Sequence, residues 1–151
     1  MQPFGVKRVH PAIVDRWWAG TQPNSPVAHW LFGNLYEEIV GVPGLVAANP
    51  PGGVLAQGSP ARYFLPVAPL TVSSVVALAA TERTRPAVAA AAFTVAGAAL
   101  TGPLVRTVTL DLLTGRATDP ADPARLVRTW HRVHRVRLAL VGAAAVALAR
   151  A

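Results

Sequence analysis

Two short stretches of this chain carry side chains able to do chemistry. The first is Trp30-Leu-Phe-Gly-Asn-Leu-Tyr-Glu-Glu38, where an aromatic and apolar run is interrupted by Asn34, Glu37 and Glu38. On a helix Asn34 lies one turn before both carboxylates, and Trp30 shares its face. Glu37 and Glu38 point about 100° apart, so one of them faces an interior and we expect it to be Glu37. A carboxylate held there could accept a proton from a substrate. The alternative is a structural ion pair with an arginine elsewhere in the chain.

The second stretch is Arg128-Thr-Trp-His-Arg-Val-His-Arg-Val-Arg137. Three-and-four spacing puts Trp130, His134 and Arg137 on one helix face and His131, Arg135 and Leu138 on the next. His131 and His134 could join Glu37 around a metal. However, His-x-x-His lacks the i, i+4 spacing of a zinc-binding helix and no fourth ligand is visible, so no metal is expected. Arg128 and Arg132 read as interfacial side chains that snorkel to lipid phosphates. His10 and His29 are isolated, and interfacial placements suit both better than site roles.

The elements that must position these residues follow from an unusual composition. Of the 151 residues 52% are hydrophobic and only 14% charged, and the mean hydropathy is +0.39, against roughly 25% charged residues in a soluble domain. The length suits one domain. The formal charge of +7 would suggest nucleic acid on a polar chain, but here the bases bracket apolar blocks and aromatic residues are scarce. Without any cysteine, disulfide frameworks, zinc–thiolate sites, iron–sulfur clusters and cysteine nucleophiles are excluded.

Residues 63–80 are uncharged and end at Thr81-Glu82-Arg83, and residues 86–105 are uncharged between Arg85 and Arg106. Each is long enough to cross a bilayer. Joined by Thr81-Glu-Arg-Thr-Arg85, they should form an antiparallel hairpin, with Gly97, Ala98 and Gly102 allowing close packing. Residues 26–48 and 126–149 are less apolar, because they hold the two chemical stretches. If all four segments cross in alternating directions, the acids of the first meet the bases of the last, which offsets the cost of charge in a membrane.

The expected fold is therefore all-α, a four-helix up-down-up-down transmembrane bundle, with helices at about 26–48, 61–81, 86–110 and 123–150. Residues 1–25 form an interfacial or disordered segment in which Trp17 and Trp18 suit an interfacial anchor, and no cleavable signal is visible. Residues 49–60 and 111–122 read as loops rich in Pro, Gly and Asp. The bases divide almost evenly between the two sides, so the positive-inside rule discriminates weakly; a multi-pass protein of the cell membrane with cytoplasmic termini is the expectation.

Three segments resemble the anthrone oxygenase-like group of small four-helix membrane proteins: Trp30 to Glu38, Arg62-Tyr-Phe-Leu-Pro-Val-Ala-Pro69, and Leu126 to Arg137. The resemblance covers about residues 27–149. It implies a cofactor-independent oxygenase that converts anthrones to anthraquinones, with Trp130 and Arg137 matching recurrent residues of the fourth helix. His134 stands where many members of the group carry Asn. Combined with the residue chemistry, this gives Glu37, His134 and Arg137 as catalytic candidates, in which Glu37 or His134 takes a proton and Arg137 stabilises the enolate. Trp30, Asn34, Tyr36, Trp130, His131 and Arg135 are candidates for holding the substrate. The expected partners are the lipid bilayer and a hydrophobic aromatic small molecule, not nucleic acid, and a homo-oligomer is compatible with the reading.

A non-enzymatic class stays open: a membrane scaffold or transporter accessory whose Glu–Arg pairs fix helix register. A cavity at the bundle centre lined by Glu37, Trp130 and Arg137 would favour the enzyme, and a filled centre the scaffold. A soluble basic nucleic-acid binder would leave membranes in high salt. No phosphate-binding glycine loop, nucleophile elbow or dinucleotide fingerprint is present, and Ser73 and Ser74 read as intrahelical hydrogen bonders.

Overall fold

The computed structural model describes residues 24–115 and 122–151. The interfacial segment expected at residues 1–25, with Trp17 and Trp18, lies almost wholly outside the described residues. Among the described residues the structure is helical, with no strand. In chain order it contains α1 (Asn24–Val40), α2 (Val42–Ala48), α3 (Ala61–Glu82), α4 (Arg85–Leu104), a π-helical turn (Val105–Thr109), α5 (Leu110–Thr114) and α6 (Asp122–Leu148).

Two boundaries differ from those expected. The segment 26–48 is not one helix: Gly41 adopts a left-handed conformation with φ 67° and separates α1 from α2, whose first turn holds Pro43. A prolyl ring cannot continue an upstream helical ladder, and glycine accepts the positive φ at low cost. The third helix runs beyond residue 110. After Pro103, which removes one N–H from the ladder, the helix widens into the π turn and continues to Thr114, where Gly115 at φ 65° ends it. Residues 111–114, expected in a loop, are therefore helical.

The α3–α4 hairpin forms as its turn chemistry dictates. Arg83 takes a left-handed φ of 54° and donates its N–H to Ala79 O, while the Thr84 hydroxyl caps α4 by accepting from Ala87 N and Pro86 occupies the first turn. Helix α1 lies antiparallel to α3: Thr71 Oγ1 donates to Pro26 O at 3.0 Å and Tyr63 Oη to His29 O at 3.1 Å. Helix α6 in turn packs on both α4 and α1, closing a ring of four long helices.

Gly97 serves this ring differently from expectation. A Cβ there would meet Val141 Cγ2 at 3.4 Å and Trp30 at 3.7 Å, so the small residue admits α6 and α1 and not α3, and Gly102 has no neighbour within 4 Å. Two apolar clusters result. One, built on Val27, Trp30, Val75, Ala90 and Val141, occupies the end bearing the α3–α4 turn. The other, built on Val46, Leu104, Val108, Leu113 and Trp130, occupies the opposite end.

Polarity is distributed against the pattern of a water-soluble domain. Asn34, Glu37, Thr71, Thr94, His134 and Arg137 are buried, whereas Phe32 is 67% exposed and Ile39 75%. The stretches Ala61–Glu82 and Arg85–Thr114 are long and apolar enough to cross a membrane, each with a window of mean hydropathy 1.8, of which only 11% and 22% is buried within the protein. Their apolar surface therefore faces outward.

Candidate functional site

The polar interior is assembled where α1 crosses α6. Helical periodicity places Asn34 and Glu37 on one side of α1 and Trp130, His134 and Arg137 on the facing side of α6. His134 Nε2–H donates to the Asn34 carbonyl at 2.8 Å, and its Nδ1 accepts from Arg137 Nη2 at 2.7 Å. Those two bonds assign the neutral Nε2–H tautomer, because a backbone carbonyl can only accept and a guanidinium can only donate. The His134 ring also stacks on Trp130, with centroids 4.0 Å apart and planes at 16°.

Arg137 is the hub of the site. Besides His134 it reaches Glu37 Oε2 at 3.5 Å through Nη2 and Thr101 Oγ1 at 3.4 Å through Nη1. Its Nε is buried and has no hydrogen-bond partner, and the same is true of Asn34 Oδ1. A buried guanidinium N–H without an acceptor is costly, and the two Nη groups carry all the hydrogen bonds that Arg137 makes to side chains.

Glu37 and Arg137 form one wall of a cavity of about 280 Å³, together with Trp30, Trp130 and Thr101. Apart from Thr109 the rest of the lining is apolar, supplied by α2, loop 49–60, α3, the end of α4, the π turn and α5, and Phe64 and Val46 are representative. Gly33 makes the α3 side possible: a Cβ there would come within 2.7 Å of the Tyr63 ring and 3.1 Å of Phe64. At the far end, loop 49–60 is tied down by Gly52 N–H donating to Leu113 O at 3.0 Å.

The two carboxylates part company as their 100° offset requires. Glu37 is 6% exposed and faces the cavity. Glu38 lies at the outer edge of the α1–α6 contact, where it accepts from His131 Nδ1 at 2.8 Å and from Arg135 Nε at 2.7 Å.

His131 and Arg135, expected to hold substrate, are therefore engaged with Glu38 and do not line the cavity. Tyr36 is 62% exposed; one step before Glu37 on the helix, it is turned away from the face that Glu37 occupies. Asn34 and His134 lie behind the cavity wall and act on it through Arg137. Among the described residues no group of three His, Asp or Glu could hold a metal. His131 and His134 each have their own partners on different sides of α6.

Sequence reasoning missed Thr101, Phe64 and the whole contribution of α2 and the π turn. A threonine or phenylalanine within an apolar helix carries no chemical signal, and the π turn is marked only by Pro103. No family model, curated protein or solved structure matches this chain.

Proposed function

We propose that the chain is an integral membrane protein that crosses the bilayer four times and uses the Glu37–Arg137 cavity to oxidise a flat, hydrophobic, anthrone-like aromatic molecule with O2. The outward-facing apolar surface and buried polar groups support the membrane reading. So does the spacing of arginines: Arg62 and Arg83 bracket α3, and Arg85 and Arg106 bracket the apolar part of α4. At about 1.5 Å per residue each pair is about 31 Å apart, close to the thickness of a hydrocarbon core.

One observation carries the catalytic reading: a carboxylate and a guanidinium share the single charged wall of an otherwise apolar cavity flanked by two indole rings. In the reaction, the Glu37 carboxylate removes a proton from the acidic methylene of the substrate, and Arg137 holds the oxygen on which negative charge develops. Trp30 and Trp130 border the space that the rings occupy. The anion passes one electron to O2, and the resulting ring radical and superoxide combine to form a C–O bond. Glu37 returns its proton to give a hydroperoxide. Loss of the second methylene hydrogen as a proton, with cleavage of the O–O bond, forms the new carbonyl and releases water. One oxygen atom ends in the quinone and the other in water, and all the electrons come from the substrate.

The protein purified in detergent should oxidise anthrone faster than the spontaneous reaction, consuming one O2 per quinone formed. A rate equal to the spontaneous one, unchanged by Glu37→Gln and Arg137→Leu, would overturn the assignment. The scaffold reading is less well supported, because a pair that served only to fix register would leave the centre filled.

A further inference from the structure

The cavity is bounded on one side by two helix faces that do not meet. Helix α3 contributes Ala61, Phe64, Leu65, Ala68 and Pro69, a run at i, i+3, i+4, i+7 and i+8. The α4–π segment presents Thr101, Leu104, Val105 and Thr109 at the same periodicity. Such complementary faces ordinarily interdigitate, but here the cavity lies between them. The two helices pack near their shared turn, where Val75 and Ala90 join one cluster, and α3 adds only the partly buried Ala61 to the cluster at the other end. Leu65 is 53% exposed and Pro69 is also exposed, although both line the cavity. The gap therefore reaches the outer surface of the bundle.

The position of that gap along the helices decides what it opens to. Pro69 is about 10 Å along the axis from Arg62, and Thr101 about 8 Å from Arg106, on the side of the hydrocarbon core in each case. If Arg62 and Arg106 sit at the phosphate level, the gap lies within the outermost part of one leaflet's acyl region. Its rim of Leu65, Ala68, Pro69 and Val105 carries no charge.

We infer that the cavity is filled sideways from the bilayer, through the α3–α4 gap, by a lipid-dissolved amphiphile whose apolar body passes Ala68 and one of whose acceptor oxygens ends at Arg137. The Arg137 guanidinium, the one cation among the described residues of the cavity wall, is the donor for that oxygen. A ligand of this kind never crosses into water, and the floor made by loop 49–60 and α5 has no need to open. This inference rests on the membrane and cavity reading above, and deepens it by naming the route and the physical state of the substrate.

The route can be tested on the full chain in phospholipid nanodiscs, with Trp17→Phe and Trp18→Phe so that emission comes from Trp30 and Trp130. The lipophilic probe is 1,8-dihydroxyanthraquinone, which quenches indole emission, and its aqueous counterpart is anthraquinone-2-sulfonate. The lipophilic probe should quench saturably, with an association rate at least tenfold slower in Ala68→Phe and in Leu65→Trp, the latter read by probe absorbance. Arg137→Gln should raise its dissociation constant about tenfold without slowing association. Quenching by the sulfonate at the same rate, or association unchanged in both rim variants when their melting temperatures match the parent, overturns the route. Quenching that only follows partition into lipid overturns it as well. Saturable binding with normal rim effects but no oxidation of anthrone would overturn the catalytic reading and leave the route intact. A chain that does not enter nanodiscs overturns both.

Discussion

Arg137 and His134 are joined by a 2.7 Å hydrogen bond in which the guanidinium donates to Nδ1, while Nε2–H of the same ring is committed to the Asn34 carbonyl. With both ring nitrogens occupied, His134 has no lone pair to offer a substrate. It orients Arg137, and in the proposed reaction this leaves Glu37 as the proton acceptor. His134→Phe keeps the stack on Trp130 but leaves Arg137 Nη2 without this acceptor. The expected outcome is a loss of about 1–3 kcal/mol, from the unsatisfied buried donor, seen as a lower melting temperature in detergent. A melting temperature equal to the parent's would show that the bond carries no weight.

Glu37 and Glu38 are neighbours with different fates. Glu37→Gln should reduce anthrone oxidation to the spontaneous rate, because the amide cannot accept the methylene proton. It should also destabilise the bundle by about 3–5 kcal/mol, since Arg137 is left as a buried charge without its counterion. Glu38→Gln breaks a pair whose arginine is 70% exposed, so its cost should stay under about 1 kcal/mol and oxidation should continue. Equal losses of oxidation in the two variants would contradict this division.

Two glycines near the site answer to different physics. At Gly33 a methyl group would lie 2.7 Å from the Tyr63 ring, so Gly33→Ala must push α3 or the Tyr63 and Phe64 rings aside, at a cost of about 1–3 kcal/mol. Because Phe64 lines the cavity, ligand quenching of Trp30 and Trp130 should change as well. At Gly41 nothing lies within 4 Å, and Gly41→Ala meets only the backbone strain of a positive φ, about 1–2 kcal/mol. Thermal melts together with quenching separate the cases: a change in quenching is expected for Gly33→Ala and none for Gly41→Ala.

Membrane integration has a direct readout. With apolar surface facing outward on α3 and α4, the chain should remain with the membrane pellet through high salt and alkaline carbonate and leave it only in detergent. Release by salt alone would mean that arginine–phosphate attraction held it there, and would remove the basis for a transmembrane bundle.

The helical class, the two most apolar stretches and the sorting of side chains onto faces were all legible in the sequence. Helical periodicity is a local property that needs no knowledge of neighbours: it puts Trp130, His134 and Arg137 together and sends Glu37 and Glu38 in different directions. Tertiary structure alone decided which groups meet. Axial register pairs Glu37 with Arg137 and Glu38 with Arg135 and His131, and it depends on Gly33 admitting α3 to α1 and on Gly97 admitting α6. The break at Gly41 and the π turn after Pro103 were equally hidden, because a single glycine or proline permits a bend without requiring one. Those two departures shape α2 and the far end of α4 around the cavity, a space created by helices failing to touch, which no run of residues can encode by itself.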